Sequence, residues 1–271
     1  MDVKRVLKAA YTTLKRPTVL TYRLRLIALN RGFRRRRARW LCDITGFPLG
    51  SVEAAIREIE QDTEFVTELR ASLLRYTQHF PMRTDFMVAS NGSSLFFHCV
   101  SVYALVRLVQ PSVIVETGGT PGKSSAFITR ALQRNQKGHL HTIDLPPVET
   151  DKKIRSGQMH ALRPQGVRSN WCVPGSLQGY QTLLEGCSET VLPHVLFELG
   201  EIPMFIHDSD HSYENMRWEL EAAFPFVPDR GLFWSDDITT NSAWADFCVA
   251  HGLAPHNFTS QGVAAKVSTL Q

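Results

Sequence analysis

The chain has 271 residues, of which 43% are hydrophobic, so it can form one α/β domain with an extension. This composition excludes a disordered or fibrous protein. The cysteines Cys42, Cys99, Cys172, Cys187 and Cys248 include no C-x-x-C pair and no nearby histidine at zinc-finger spacing. They therefore indicate neither a disulfide framework nor a structural zinc site, and we expect a reducing, cytoplasmic location.

The net charge of +4 hides a strong asymmetry along the chain. Residues 1–40 hold 13 of the 30 Lys and Arg residues but only one acidic residue, so the remainder carries a balance of −8. This basic arm is densest at Arg34–Arg37 and Arg39. We expect it either to meet an anionic surface or to pack against acidic side chains of the same or a neighbouring subunit, without specific recognition of nucleic acid.

Apolar periodicity divides the chain into a basic helical extension, residues 1–80, and an α/β domain, residues 81–271. The domain opens with a buried helix at Leu95–Val109, after which short apolar runs alternate with helical patterns. We predict strands at Val113–Val115, Leu140–Ile143, Trp171–Val173, Met204–Ile206 and Leu232–Trp234, helices at Ser124–Arg134, Leu177–Leu184 and Tyr213–Phe224, and a closing, antiparallel strand at Gly262–Val267. This alternation predicts a doubly wound, mostly parallel sheet.

In such a sheet ligands bind beyond the carboxyl ends of the strands. The first strand runs through Glu116, Thr117 and Gly118 into Gly122-Lys123-Ser124-Ser125 and a helix. Its glycines do not fit the G-x-G-x-x-G pattern of dinucleotide enzymes. A phosphate loop is a closer competitor, but its first glycine would have to be Thr117. The pattern E-x-G-x-x-x-G is complete, and its carboxylate suits a ligand with a cationic amino group, whereas it would repel a triphosphate.

Two later strands supply further candidate ligand-binding residues. Asp144 ends the second predicted strand, 28 residues after Glu116, where a carboxylate can accept hydrogen bonds from both ribose hydroxyls. Gly175 and Ser176 follow the third predicted strand and would border the adenine. The order Glu, Gly, Gly, Asp, Ser thus predicts a nucleoside ligand with an amino group.

Acidic residues also follow the fourth and fifth predicted strands. Asp208 and Asp210 follow one, and Asp236 and Asp237 follow the other. These carboxylates would repel each other unless a cation lay among them, and oxygen ligands suit Mg²⁺ or Mn²⁺. We select Asp208, Asp236 and Asp237 as ligands, because Asp210 can equally serve as a helix cap.

With these motifs the chain resembles the class I methyltransferases, and more narrowly the metal-dependent O-methyltransferases that include macrolide-sugar methyltransferases and cephalosporin-biosynthesis proteins. The resemblance covers about residues 95–270 and implies a Rossmann-like, seven-stranded sheet. It implies Mg²⁺ or Mn²⁺ at Asp208, Asp236 and Asp237, with His211 as the catalytic base. It also implies S-adenosyl-L-methionine as the cofactor, bound by Glu116, Thr117, Gly118, Gly122, Ser124, Ser125, Asp144, Ser176 and Asp208.

The expected function is therefore methyl transfer to a hydroxyl group of a sugar or small natural product, by a protein that forms a homo-oligomer. Two alternatives remain at this point. One is a kinase or NTPase that uses the incomplete phosphate loop at Gly122-Lys123-Ser124. The other is a non-catalytic binding module with a basic arm.

Overall fold

Seven strands form one sheet in the computed structural model, which describes residues 32–77, 97–149 and 166–266. The strands are β1 (Val113–Thr117), β2 (His139–Asp144), β3 (Gln181–Glu185), β4 (Met204–His207), β5 (Leu232–Ser235), β6 (His256–Phe258) and β7 (Gln261–Ala265). The helices are α1 (32–45), α2 (Leu49–Glu60), α3 (Thr63–Thr77), α4 (Phe97–Val109), α5 (Lys123–Asn135), α6 (Ser188–Leu199), α7 (Tyr213–Ala223) and α8 (Ala243–Ala250). No helix in the described ranges is long and apolar enough to cross a membrane.

The strand order is β3-β2-β1-β4-β5-β7-β6. The first five strands in this order are parallel, and β7 runs antiparallel to both β5 and β6. Because β1 to β5 are parallel, their carboxyl ends lie at one edge of the sheet, where α/β proteins bind ligands. The prediction of a doubly wound, mostly parallel, seven-stranded sheet with an antiparallel closing strand is confirmed.

The third predicted strand is wrong. The segment Trp171–Val173 is not a strand, and the expected helix Leu177–Leu184 is replaced by a 3₁₀ helix at Gly175–Tyr180 followed by β3. Two glycines within Gly175–Tyr180 disfavour a regular α-helix. The next five residues instead complete their backbone hydrogen bonding by parallel pairing with β2.

The helices that precede the sheet in sequence pack into the same apolar core. One contiguous cluster joins Val52, Ile59 and Phe65 of α2 and α3 to buried side chains of α4 and α5. The Phe65 and Phe127 rings meet edge to face at a centroid distance of 4.9 Å. The apolar periodicity of the extension therefore marks a buried face, while the boundary near residue 80 stays a prediction.

Helix α1 carries the arginine run, and part of that run pairs with an acid of the same chain. Arg37 is almost fully buried and lies 2.9 Å from the Glu60 carboxylate, and Arg34 lies 3.4 Å from the same group. Trp40 lies three residues after Arg37 in α1. Its indole N–H donates to the His256 carbonyl, and its ring packs edge to face against Trp234. Arg35, Arg36 and Arg39 remain exposed.

Asp62 connects the preceding helices to α5 through charge. Its carboxylate accepts hydrogen bonds from Arg130 and Arg134, and from the backbone amide of Phe65 at the start of α3. Burial alone would raise the pKa of Asp62, but the Phe65 amide and the two guanidinium groups outweigh it, so the pKa lies below its usual value. This ionised, buried group therefore stabilises the folded state.

We expect Asp62→Asn to lower the free energy of unfolding by about 3 kcal/mol at neutral pH, because two guanidinium groups lose their counter-ion. Urea denaturation measures this. The stabilisation is present above the unfolded pKa of Asp and is lost as the pH falls through the lower folded pKa, so the difference from wild type should shrink below about pH 4. Glu53→Ala, which removes an exposed pair with Arg57, is the control and should cost less than about 0.5 kcal/mol. Equal costs for both variants would contradict this assignment.

Candidate functional site

The ends of β1 and β4 touch at Gly118. This residue has a left-handed φ of +83°, and a Cβ added there would lie 1.9 Å from the carbonyl oxygen of Asp208. Only glycine fits this position without moving the β4 loop. The Asp208 amide also donates to the Thr117 carbonyl at 2.9 Å. The predicted cofactor loop and the predicted metal loop are thus in direct backbone contact.

The other half of the glycine loop rests on Asn170. A Cβ on Gly119 would lie 2.4 Å from Asn170 Oδ1, and one on Gly122, whose φ is +96°, would lie 2.6 Å from Asn170 Cα. The Asn170 amide donates to the Gly119 carbonyl, and the Cys172 amide donates to that of Pro121. The segment that looked like the third strand therefore braces this loop.

Glu116 lies beneath the glycine loop and is fully buried. Its carboxylate accepts hydrogen bonds from Ser124 (2.8 Å), Ser125 (2.6 Å) and Thr142 (2.9 Å). Burial raises the pKa of Glu116 above its usual value, against the effect of these hydroxyl groups. The structure thus shows Glu116 holding the start of α5 against β2, and only Ser124 of this group faces the adjoining cavity.

Asp144 stands at the end of β2 beside the glycine loop, as the sequence predicted. Its carboxylate accepts from the Gly119 amide at 3.0 Å, from the Thr120 hydroxyl at 2.7 Å and from the Leu145 amide at 2.7 Å. A carboxylate oxygen has room for more than one hydrogen bond. Asp144 is therefore oriented by the loop and can still accept a ribose hydroxyl.

Ser176 was predicted to follow the third strand. That premise is wrong, because no strand lies between residues 166 and 176. Ser176 is exposed on the 3₁₀ helix, and its hydroxyl donates to Glu68 of α3 at 2.8 Å. The residues that follow β3 are Gly186-Cys187-Ser188, which sequence reasoning missed because it placed the strand too early. These residues stand at the sheet edge where Ser176 was expected.

Asp208, Asp236 and His211 converge beyond β4 and β5. One potential ligand atom from each lies within 4.8 Å of the others. His211 Nε2 is 3.7 Å from Asp208 Oδ1, and His211 Nδ1 is 3.8 Å from Oδ2 of the half-exposed Asp237. Asp210 accepts from the backbone amide of Ser212, but the residue that caps α7 is Ser212, whose hydroxyl accepts from the Asn215 amide, so Asp210 is not the helix cap.

The electrostatics of this group are unfavourable without a further positive charge. Burial raises the pKa of Asp208 well above its usual value, and the nearby carboxylates of Asp236 and Glu116 raise it further. Burial, together with the neighbouring His207, lowers the pKa of His211. Perturbed groups of this kind gather at functional sites.

Glu219 of α7 is a buried residue of the site that the sequence prediction did not include. Its carboxylate lies 2.6 Å from His207 Nδ1 and accepts hydrogen bonds from Thr117 (2.5 Å) and Ser209 (2.8 Å). These contacts outweigh burial and lower the pKa of Glu219. The available signal was an acidic residue within the buried stripe that includes Met216 and Leu220.

A cavity of about 270 Å³ lies between the glycine loop and the acidic cluster. Gln261, the first residue of β7, borders it and donates from its amide nitrogen to Asp236. Sequence reasoning missed Gln261 because only the antiparallel pairing of β5 with β7 brings it to Asp236. The lining residues are Cys99, Val102, Gly118–Ser124, Ile128, Ile206, Asp208, Trp234, Asp236 and Gln261.

Comparison with known proteins identifies a domain and a fold that this chain shares. Residues 115–238 match a family model described as a methyltransferase domain. A methyltransferase from Podospora anserina, solved with SAH bound, has 13% identity and a TM-score of 0.51, with 74% of this chain and 88% of that chain covered. A Klebsiella pneumoniae protein assigned as an O-methyltransferase has 16% identity and a TM-score of 0.50, covering 80% and 96%. No curated protein sequence matches the chain.

A third solved structure, the cofactor-bound Rv0187 from MTB, has 13% identity and a TM-score of 0.50, covering 76% of this chain and 90% of that one. At these identities the structures establish the fold. The domain match disfavours the phosphate-loop alternative. The position of Thr117 also disfavours a phosphate loop. Thr117 is the last residue of β1 and its hydroxyl donates to Glu219, so it does not turn the chain as a phosphate-loop glycine does.

We expect Asp144→Ala to weaken binding of S-adenosylhomocysteine by about 10- to 100-fold, because it removes charge-assisted hydrogen bonds to the ribose. Isothermal titration measures this. Asp43→Ala, on the exposed side of α1, is the control and should bind as wild type does. Unchanged affinity in folded Asp144→Ala protein would remove Asp144 from the cofactor site.

Proposed function

We propose that this chain, which is a class I S-adenosylmethionine-dependent methyltransferase, transfers its methyl group to a hydroxyl oxygen with the help of a divalent cation. The acceptor we propose is a sugar or small natural product. The observation that carries the proposal is the convergence of Asp208, His211 and Asp236, of which Asp208 and Asp236 line the cavity beside the glycine loop. The assignment of the Klebsiella pneumoniae relative as an O-methyltransferase supports oxygen as the acceptor atom.

Two features of the acidic cluster fit a cation. His211 Nε2 is buried and has no hydrogen-bond partner among the described residues. The pKa of Asp208 is raised first by burial and then by the nearby carboxylates of Asp236 and Glu116. A divalent ion such as Mg²⁺ or Mn²⁺ would offset this charge and lower the pKa of an acceptor hydroxyl, which makes the oxygen a better nucleophile.

The geometry suggests which residues hold the ion. Asp208 and Asp236 are common to the sequence prediction and to the converging group. The third position belongs either to Asp237, as the sequence predicts, or to His211. In the second arrangement Asp237 orients the imidazole through Nδ1, as carboxylates commonly do for metal-bound histidines. In the first, His211 is free to take the proton of the acceptor hydroxyl.

The remaining residues would bind and align the cofactor. Asp144 would accept hydrogen bonds from the ribose hydroxyls, and the Gly118–Ser124 loop would hold the methionyl end at the wall of the cavity. Methyl transfer requires the nucleophile, methyl carbon and sulfur in line, and the contact between Gly118 and Asp208 keeps the two halves of the site close enough for this alignment.

Removal of the cation tests the metal assignment. Excess EDTA should abolish turnover in a methyl-acceptor screen while leaving S-adenosylhomocysteine binding intact, because the ion is proposed to act on the acceptor. Asp236→Asn should reduce the affinity for Mn²⁺, measured directly by electron paramagnetic resonance, by at least about 10-fold. Asp43→Asn is the exposed control and should bind Mn²⁺ as wild type does. Full turnover in EDTA would exclude the metal from the reaction.

A His211→Ala variant separates the two roles proposed for this residue. If His211 is the base, kcat should fall by about 10²- to 10⁴-fold while Mn²⁺ affinity stays unchanged. If it is a ligand, Mn²⁺ affinity should fall with kcat, and Asp237→Ala should have a smaller effect. Near-normal kcat and Mn²⁺ affinity together would exclude both roles.

A further inference from the structure

Gln261, which lines the cavity, carries a buried hydrogen-bond acceptor that no described residue satisfies. It is the first residue of β7, and only 2% of it is exposed. Its amide nitrogen donates to Asp236, which lines the same cavity. Its oxygen, Oε1, is buried and accepts no hydrogen bond from residues 32–77, 97–149 or 166–266. A buried acceptor without a donor is unfavourable, so this atom requires an explanation.

The orientation of the Gln261 side chain is set by Asp236. The antiparallel register pairs Ser235 with Gly262, which brings the neighbouring residues Asp236 and Gln261 together at the edge of the sheet. A carboxylate only accepts hydrogen bonds, so it binds the nitrogen of a carboxamide and repels the oxygen. The side chain therefore has one favoured orientation, in which Oε1 is held in place as an acceptor.

The contact with Asp236 does not itself require a carboxamide. A side chain that only donates, such as lysine or serine, can orient a carboxylate without burying an unsatisfied oxygen. An apolar side chain can fill the same space without either group. Oε1 is thus the part of Gln261 for which the described residues have no use, and a molecule in the cavity can supply the missing donor.

The other uncharged polar side chains of the cavity wall are already engaged. The Thr120 hydroxyl donates to Asp144, and the Ser124 hydroxyl donates to Glu116. The apolar side chains of the wall are Cys99, Val102, Ile128, Ile206 and Trp234. A carbon skeleton can pack against these groups, and Gln261 adds an uncharged acceptor that can distinguish one pattern of hydroxyl groups from another.

We propose that Gln261 is a specificity-determining residue of the acceptor site, an inference that rests on the proposed function. Its Oε1 accepts a hydrogen bond from a second polar group of the methyl acceptor. The amide nitrogen of the same carboxamide is bound to Asp236, so Oε1 lies beside the group proposed to hold the cation. The second donor therefore lies next to the hydroxyl that is methylated. The substrate class is a compound with a hydroxyl or N–H group adjacent to the methylated hydroxyl.

Three ring alcohols with the same carbon skeleton test this proposal on the full chain loaded with S-adenosylhomocysteine and Mg²⁺. The hydroxyls are adjacent in trans-cyclohexane-1,2-diol and separated in trans-cyclohexane-1,4-diol, and cyclohexanol has only one. Dissociation constants are measured by ligand-observed NMR. Wild type should bind the 1,2-diol at least about 10-fold more tightly than the other two, because they leave Oε1 without a donor.

Gln261→Met keeps the approximate shape of the side chain and removes the carboxamide oxygen. It should reduce the preference for the 1,2-diol to less than about 3-fold. This variant also removes the donor to Asp236, but an effect through the cation would weaken all three alcohols together, and electron paramagnetic resonance of bound Mn²⁺ measures it directly. Gln61→Met, at an exposed position directly after α2, is the matched control and should keep the wild-type preference.

Gln261→Lys asks the same question if Gln261→Met does not fold. Lysine keeps a donor for Asp236 but has no acceptor, so the preference should again be lost. Equal binding of the three alcohols by wild type would overturn the proposal. A preference that persists in Gln261→Met or Gln261→Lys would also overturn it, because the second hydroxyl would then bind elsewhere.

Failure of the proposed function gives a different result. If wild type binds S-adenosylhomocysteine but none of the three alcohols, the assignment of a hydroxyl acceptor fails, and the role of Gln261 fails with it. Equal binding of all three leaves the proposed function intact and removes only the role of Gln261. One set of titrations therefore distinguishes the two failures.

Discussion

The backbone contact between Gly118 and Asp208 is the constraint on which the site depends. The paired strands β1 and β4 end together at Thr117 and His207, and beyond them the chain leaves in two directions, toward α5 and toward α7. Because Gly118 has no side chain, the two loops stay in contact as they leave the sheet. Glu219 binds the same two strand ends from α7, so one buried carboxylate holds the junction together.

This junction brings groups of opposite charge close together. The acidic cluster crowds negative charge, whereas the start of α5 places Lys123 and the unpaired amides of a helix N-terminus at the wall of the same cavity. The core beside this junction is formed by apolar packing, which stabilises the fold. That core includes the helices before the sheet, whose apolar faces join α4 and α5 and whose acids Asp62 and Glu60 engage buried arginines.

Features encoded by short-range patterns could be predicted from the sequence. The alternation of strands and helices, the glycine loop between β1 and α5, and the acids after β4 and β5 all lie within local motifs. The edge strand β3 could not, because it is only partly buried and has no clear apolar pattern, while the more apolar Trp171–Val173 packs against the glycine loop. Glu219 and Gln261 could not either, because their partners are set by helix packing and by antiparallel register.

The packing of Trp40 on Trp234 ties the shape of the cavity to a helix that contributes none of its lining. Trp234 forms part of the wall. Trp40 from α1 packs edge to face against Trp234, and the Trp40 indole N–H donates to the carbonyl of His256 at the start of β6. Substitutions in α1 can therefore reshape the pocket by shifting Trp234, without altering any residue that touches a ligand. The shape of this cavity can therefore change while the residues that line it stay the same.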